Sequence, residues 1–129
     1  KDIKHISFGP RDCFAITMKS GWCHCWLLPG PLAYVKQHQS NISYVSLTGS
    51  PNKWIVGWER NYFWSKDISG ELLAYLKDVN NKNKEIRLVE LGCDDSYFVE
   101  LDDKNWFKTE HNAWLEENTT AGSYTISLW

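Results

Sequence analysis

The feature of this sequence that most constrains its fold is a pattern that recurs about every forty residues. Each occurrence starts with an apolar residue, any residue and a second apolar residue, and in the first three a glycine follows within three or four positions. The four segments are Ile6-Ser7-Phe8, Val45-Ser46-Leu47, Val89-Glu90-Leu91 and Ile126-Ser127-Leu128. Repetition on this scale predicts an architecture of similar units.

A second regularity lies inside each unit, where an aromatic residue starts a further segment and another aromatic residue follows eight positions later. The pairs are Phe14 and Trp22, Trp54 and Tyr62, and Phe98 and Trp106. Gly21, Asn61 and Asn105 directly precede the second aromatic residue. Gly and Asn adopt a left-handed backbone at low cost, which tight hairpin turns require. We therefore predict three strands per unit, the last two joined by a hairpin with a left-handed Gly or Asn.

A short segment with helical character follows each hairpin. Residues 31–36 begin with a proline, which is favoured in a first helical turn. Ser69 and Asn112 are suited to cap residues 70–77 and 113–117. Because such short helices need tertiary packing, we expect each to lie on its own sheet. The prediction is a single domain over residues 1–129, with repeats at approximately 3–41, 42–85 and 86–122 and a closing strand at 123–129.

These units predict a mainly β fold of tandem, propeller-blade-like repeats of three strands and a short helix. Blades arranged around an axis protect their strand edges from other chains. Three units are fewer than the ~4–8 blades of a usual ring. Either two chains combine, which makes a homo-oligomer one expectation, or three units close on themselves as a β-trefoil, which is the alternative fold.

The second unit carries a resemblance to a known family. It contains Ile42-x-x-Val45-Ser46-Leu47-x-Gly49, then Trp54-Ile55-Val56, and then Trp58 and Trp64. This order resembles the tandem tectonin-like repeats of β-propellers. The resemblance implies propeller blades, a lectin-like or protein-binding surface and no catalysis.

The most prominent local motif is Trp22-Cys23-His24-Cys25-Trp26. Strand alternation places Cys23 and Cys25 on one face, but zinc needs about four nitrogen or sulfur ligands and no second cysteine pair completes the set. Buried free thiols are the favoured interpretation, so no metal is predicted. A disulfide from Cys13 to Cys23 or Cys25 is also permitted. The cysteines, with sequons at Asn41 and Asn118, leave a secreted or a cytoplasmic location open.

Charge and missing motifs argue against several functions. The formal charge of −2 argues against nucleic-acid binding by phosphate neutralisation, and no apolar run approaches the ~20 residues of a membrane span. The acidic pairs Asp94-Asp95 and Asp102-Asp103 are interpreted as turn residues. Phosphate loops, zinc-protease motifs and nucleophile elbows are absent from the sequence. We predict neither enzymatic activity nor a cofactor.

The aromatic content points to recognition. Eight Trp, six Tyr and five Phe exceed what one small core readily encloses, and exposed Trp and Tyr bind sugars or proteins. We predict a lectin-like module with aromatic sites repeated in each unit, whose polar partners accept hydrogen bonds from sugar hydroxyls. The predicted ligand-binding residues are Trp26, Trp58, Glu59, Trp64, Asp103 and Trp106. The alternative is a protein–protein interaction or scaffold domain of a larger assembly.

Overall fold

A computed structural model describes residues 2–92, 95–102 and 104–108. Over these residues the fold is mainly β, as predicted, with three separate three-stranded antiparallel sheets. The first sheet contains β1 (Ile3–Phe8), β2 (Phe14–Met18) and β3 (Cys23–Trp26); the second contains β4 (Ile42–Ser46), β5 (Ile55–Trp58) and β6 (Asn61–Trp64); the third contains β7 (Ile86–Leu91), β8 (Tyr97–Leu101) and β9 (Asn105–Lys108).

Two helices follow the first two sheets, α1 (Pro29–Gln37) and α2 (Gly70–Asn81). Both were predicted, and Ser69 is the N-cap residue of α2, although its side chain makes no capping hydrogen bond. The predicted third helix at residues 113–117, with its cap Asn112, and the predicted closing strand at 123–129 lie outside the described residues.

The three sheets share one register, which confirms the repeat. The paired middle rows are Ile6–Ile16–His24, Val45–Val56–Phe63 and Val89–Val99–Trp106. The first strand of each sheet also has its irregularity at the same place, with Lys4, Ser43 and Arg87 as the extra residues. The described strands pair only within their own unit, unlike the shared barrel of a β-trefoil. Closure into a propeller stays a prediction.

The predicted equivalence of Gly21, Asn61 and Asn105 as left-handed turn residues is wrong. Gly21 has a φ of 96° in a three-residue loop between Met18 and Trp22, which is the usual place for a left-handed glycine. The second hairpin has a two-residue loop, and Glu59, with a φ of 51°, adopts the positive φ there. Asn61 and Asn105 are instead the first residues of β6 and β9.

The constant spacing also misaligned the third unit, by one residue in its central strand. The register makes Tyr97, not Phe98, the counterpart of Phe14 and Trp54. The aromatic residues eight positions further on therefore occupy three different positions of the repeat: Trp22, Tyr62 and Trp106.

The chain divides into two compact parts that differ from the three repeats. We call residues 1–68 unit 1 and residues 69–129 unit 2. Unit 1 contains the first two sheets and α1, and unit 2 contains α2 and the third sheet.

The helix α1 packs chiefly on the sheet that follows it, so the expectation that it would lie on its own sheet is wrong for its main contact, although Val35 also joins a cluster with Ala15 and Cys23 of its own sheet. In unit 1, α1 lies against β5, and the ring of Tyr34 stacks on Phe63 at a centroid distance of 4.1 Å. In unit 2, α2 lies against β7, and Tyr75 stacks on Trp106 at 4.9 Å. The helices pack there because the apolar rows of the following sheet are stabilised when a covering layer removes them from water.

The core of unit 1 lies between the two sheets. Ala15 and Cys23 from the first sheet join Val45 and Val56 from the second in one buried cluster, to which Val35 of α1 also belongs. Hydrogen bonds fix the contact between the sheets: the Leu47 amide donates to Ser7 Oγ at 2.8 Å, and the Ile42 amide donates to the Gly21 carbonyl at 2.8 Å. One face of the first sheet is thereby buried.

Candidate functional site

The other face of the first sheet carries nine side chains, eight of them apolar. Strand alternation and the register bring them together in three rows that each cross all three strands. The rows are Phe8–Phe14–Trp26, Ile6–Ile16–His24 and Ile3–Met18–Trp22. We call this surface the open face.

The open face is accessible to solvent, whereas the opposite face is not. Phe8 is 65% exposed, Trp26 is 69% exposed, and Trp22 is 42% exposed. On the opposite face, Ala15 and Cys23 are 1% and 0% exposed. Contiguous exposed apolar surface is uncommon on soluble proteins and marks sites of interaction. The open face is therefore the candidate functional site.

The corresponding face of the second sheet is covered jointly by α1 and by the buried face of the first sheet. Its middle-row residues Val45 and Val56 are fully buried, and the third, Phe63, lies under Tyr34 with an interplanar angle of 15°. At the end of the helix, the imidazole of His38 stacks on Trp58 at 4.1 Å and 9°. An aromatic layer thus fills the contact between helix and sheet.

On the corresponding face of the third sheet, α2 lies against β7 and Tyr75 stacks on Trp106, with a polar addition. The Tyr97 hydroxyl donates a hydrogen bond of 2.6 Å to Glu71 Oε1 and accepts one of 3.3 Å from Trp106 Nε1. This bond from Tyr97, helped by Lys108, holds the pKa of the Glu71 carboxyl below its usual value. Burial, followed by the bond to Glu71, raises the pKa of Tyr97 to about 12.

Within unit 1, the predicted ligand-binding residues do not form one site. Trp26 lies on the open face, Trp58 is half-buried beside His38, and Trp64 lies on β6 at 40% exposure. Trp106 belongs to unit 2, where it is stacked on Tyr75. Glu59 is exposed in the β5–β6 turn, and Asp103 lies outside the described residues.

The four predicted tryptophans also occupy four different positions of the repeat. In the register, Trp26 pairs with Phe14, Trp64 with Ile55, and Trp106 with Val99. Trp58 instead belongs to the central strand of its sheet. The register therefore gives no support to one aromatic site repeated in each unit.

Two signals of the site were missed in the sequence. In the sequence, the residues of the open face are apolar residues at alternate positions along three consecutive strands, from Ile3 to Trp26. The covering helices share the motif Leu-Ala-Tyr-aliphatic-Lys at residues 32–36 and 73–77, which places Tyr34 and Tyr75 at equivalent positions.

The described part of the chain contains free thiols and a small crevice but no cluster of metal ligands. No three His, Cys, Asp or Glu side chains in this part of the chain are grouped as metal ligands. Cys13, Cys23 and Cys25 are free thiols, and burial raises the pKa of Cys23 to about 12, which makes it a poor nucleophile. A crevice between Pro10, Pro31 and Pro51 has a volume of about 10 Å³, enough for a single water.

Neither described helix has the length and apolar character of a membrane span. Comparisons with protein-family models, curated proteins and solved structures find no match for this chain. The likeness to tectonin-like repeats stays a prediction, and function has to be argued from the geometry of the site.

Proposed function

We propose that this protein is a non-enzymatic module that binds other proteins, and that the open face is its binding surface. The observation that carries the proposal is the contiguity of the three apolar rows on one exposed sheet face. A scattered exposed ring needs no partner, but a continuous apolar surface of this kind is typical of interaction sites.

The composition of the open face supports a protein ligand. Its nine positions contain no Asp, Glu, Lys or Arg, and His24 is the single titratable side chain. Depletion of charge with enrichment of aromatic residues is characteristic of the centre of protein interfaces. Trp22 and Trp26 are of the residue type that most often dominates binding energy, and complete burial of one large apolar side chain contributes roughly 1.5–3 kcal/mol.

Carbohydrate binding is the second candidate. The observation in its favour is Trp26, which at 69% exposure leaves its side chain accessible for stacking on a sugar. A glycan array would show binding that Trp26→Ala removes if this candidate is correct. Phe8 is at the other end of the same row. Loss of sugar binding in Trp26→Ala but not in Phe8→Ala would indicate a sugar site at Trp26 rather than a protein-binding surface that needs both residues.

The protein-binding proposal is tested by selecting ligands on the whole chain. Random peptides displayed on phage are selected on the wild-type protein and then measured against Phe8→Glu and Trp26→Glu. Both replaced side chains are mostly exposed, so the variants should fold, which a thermal melt verifies. Asn52→Glu is the matched control, because it adds the same charge at an exposed turn of the same unit outside the open face.

We expect the selected peptides to bind wild type and Asn52→Glu alike and to lose at least about 10-fold in affinity on either open-face variant. Ligands that bind all four proteins equally would show that the open face is not the binding surface.

A further inference from the structure

We infer that the open face binds a further repeat of the kind from which this chain is built, carried by another protein chain. The partner would place a three-stranded sheet with small side chains on the open face, together with the helix that follows that sheet. This inference rests on the proposed function and adds the class of partner. Its basis is the contact between the first two sheets, because the first repeat already covers the surface equivalent to the open face in this way.

The equivalent surface of the second sheet can be identified position by position. The strand register relates six residues of the open face to six residues of the second sheet, in the order Ile3, Ile6, Phe8, Phe14, Ile16, Met18 and Ile42, Val45, Leu47, Trp54, Val56, Trp58. All six residues of the second sheet belong to one apolar cluster or pack against it. The first repeat contributes Ala15, Cys23 and Cys25 from its sheet and Tyr34 and Val35 from α1 to the same cluster. The open face therefore repeats a surface that this fold covers with a sheet and a helix together.

The covering face of the first sheet carries mostly small side chains. Four of them are at most 3% exposed: Ser7, Ala15, Thr17 and Cys23. Small residues on one sheet leave room for the larger side chains of the facing sheet in the ~10 Å between two packed sheets. The open face needs this room even more, because it has Ile6 and Ile16 where the second sheet has Val45 and Val56. A matching partner therefore presents a sheet face of small residues.

Two hydrogen bonds in the contact between the sheets add polar groups to this description. The Leu47 amide donates to Ser7 Oγ, and the Ile42 amide donates to the Gly21 carbonyl, each at 2.8 Å. Phe8 and Ile3 are the open-face residues at these two positions. A partner repeat would bring a serine hydroxyl to the Phe8 amide and a turn carbonyl to the Ile3 amide.

The helix of the partner would lie over His24. In unit 1, Tyr34 of α1 stacks on Phe63 at 4.1 Å, and the register relates Phe63 to His24 of the open face. The stack of His38 on Trp58 at 4.1 Å shows that an imidazole and an aromatic ring pack well in this fold. An aromatic residue of the partner helix would take the place of Tyr34.

A second copy of this chain has no free face of the required kind among the described residues. The central-strand residue of the corresponding face is Ala15 in the first sheet, Ile55 in the second and Phe98 in the third. Each of these residues is at most 1% exposed, so all three faces are already buried within one molecule. The partner is therefore a different chain, in which such a face is free.

The edge strand β3 distinguishes the open face from the surface that it repeats. Trp22 and Trp26 occupy the register positions of Asn61 and Ser65 in the second sheet. Asn61 is exposed, so Trp22 lies at the margin of the contact. Ser65 is 8% exposed, so Trp26 is the ring for which a partner has to leave room.

The test adds such a repeat to the full chain. A second copy of residues 1–41 is placed before Ile3, so that its Asn41 precedes Ile3 as Asn41 precedes Ile42 in the natural chain. The covalent link holds the added sheet and helix at high effective concentration beside the open face. Trypsin cuts a docked repeat slowly and an undocked one rapidly, because cleavage follows the population of open states. Gel densitometry measures the rate at which the added residues are removed.

The variants are introduced into the original copy. Phe8→Glu and Ile6→Glu place a charge in the contact at side chains that are 65% and 42% exposed in the natural chain. Asn52→Glu is again the matched control. We expect the added repeat to be removed at least about 10-fold faster with either open-face variant and at an unchanged rate with Asn52→Glu. Equal rates in all four proteins overturn the inference.

A second version of the extended chain shows whether the added repeat folds and docks when no ring obstructs it. It carries Trp26→Ser in the original copy, which restores the residue of the second sheet. Protection from trypsin in this version alone would show that the natural open face rejects the repeat. Lack of protection in both versions would show that the contact between the first two sheets is not reproduced. Either result overturns the inference.

The phage selection separates this failure from failure of the proposed function. Selected ligands that need Phe8 and Trp26, together with an added repeat that stays unprotected, would leave protein binding standing and overturn the repeat as the partner. Light scattering tests the remaining occupant: a wild-type dimer that Phe8→Glu dissociates would show a second copy on the open face, and this too overturns the inference.

Discussion

The ring of Tyr44 lies across Gly57, its partner on the neighbouring strand of the second sheet. A Cβ atom at position 57 would collide with the Cε2 and Cζ atoms of the ring. Both residues are buried, so the ring fills space that a side chain at 57 would otherwise occupy. A strand glycine of this kind marks a close approach rather than a turn.

Replacement of Gly57 by alanine should destabilise the protein. Because the added methyl group forces the buried ring out of its position, the free energy of unfolding should fall by about 1–3 kcal/mol, measured by urea denaturation. Gly70→Ala is the control, since no atom lies within 4 Å of a Cβ at that helix position. Equal stabilities for the two variants would contradict the close approach.

The two buried tyrosines Tyr44 and Tyr97 should respond in opposite directions to loss of the hydroxyl group. The Tyr44 hydroxyl is buried without a hydrogen-bond partner among the described residues, so Tyr44→Phe should raise the free energy of unfolding by about 1 kcal/mol. The Tyr97 hydroxyl bonds to Glu71 and Trp106, so Tyr97→Phe should lower it. Thermal melts of both variants beside wild type measure the two signs; a shared sign would be the contrary result.

Tyr97 should also make stability depend on alkaline pH. Burial and the bond to Glu71 raise the pKa of Tyr97 to about 12 in the folded protein, against about 10 in the unfolded chain. The stabilisation is complete below pH 10 and is lost as pH rises towards 12, because the unfolded state ionises first. Between pH 9 and 11, wild type should therefore lose more stability than Tyr97→Phe in chemical denaturation. Parallel losses would assign the effect to other groups.

The tyrosines at the centre of each helix contact should be needed as rings rather than as hydroxyl groups. Tyr34→Ala removes the stacks on Phe63 and Trp58 and should lower the free energy of unfolding by about 2 kcal/mol or more. Tyr34→Phe keeps the stacks and should stay within about 0.5 kcal/mol of wild type. Near-wild-type stability of the alanine variant would show that α1 contributes little to covering the second sheet.

Local patterns predicted the elements of this fold well. The apolar-x-apolar segments fall in or at the ends of β1, β4 and β7, and proline and serine signals marked the starts of α1 and α2. Such signals depend on neighbouring residues along the chain, so they can be recognised without knowledge of tertiary contacts. The alignment of the units failed in two places: one extra loop residue at Gly21 shifted the first hairpin, and the counterpart of Trp54 in the third unit is Tyr97 rather than Phe98.

The covering of each sheet could not be predicted in this way. The spacing of Val35 after Pro31 shows that α1 has an apolar side, but the same side would fit its own sheet or the next one. The open face of the first sheet carries large apolar side chains such as Phe14 and Ile16, whereas the buried face carries small or polar ones such as Ala15, Ser7 and Thr17. Apolar character alone would therefore bury the wrong face, because the second sheet packs on the side with the smaller residues.

The packing of each helix on the following sheet has a consequence for how such a chain can be shortened, lengthened or duplicated. The main contacts of each helix stay together in a piece that runs from the helix into the next three strands, as in residues 29–64 or 70–108. A copy made in that phase keeps each helix with the sheet on which its tyrosine stacks. A copy made in the strand-first phase ends in a helix whose tyrosine has lost that sheet, so gene rearrangements cut in the two phases would differ in outcome although each moves a similar number of residues.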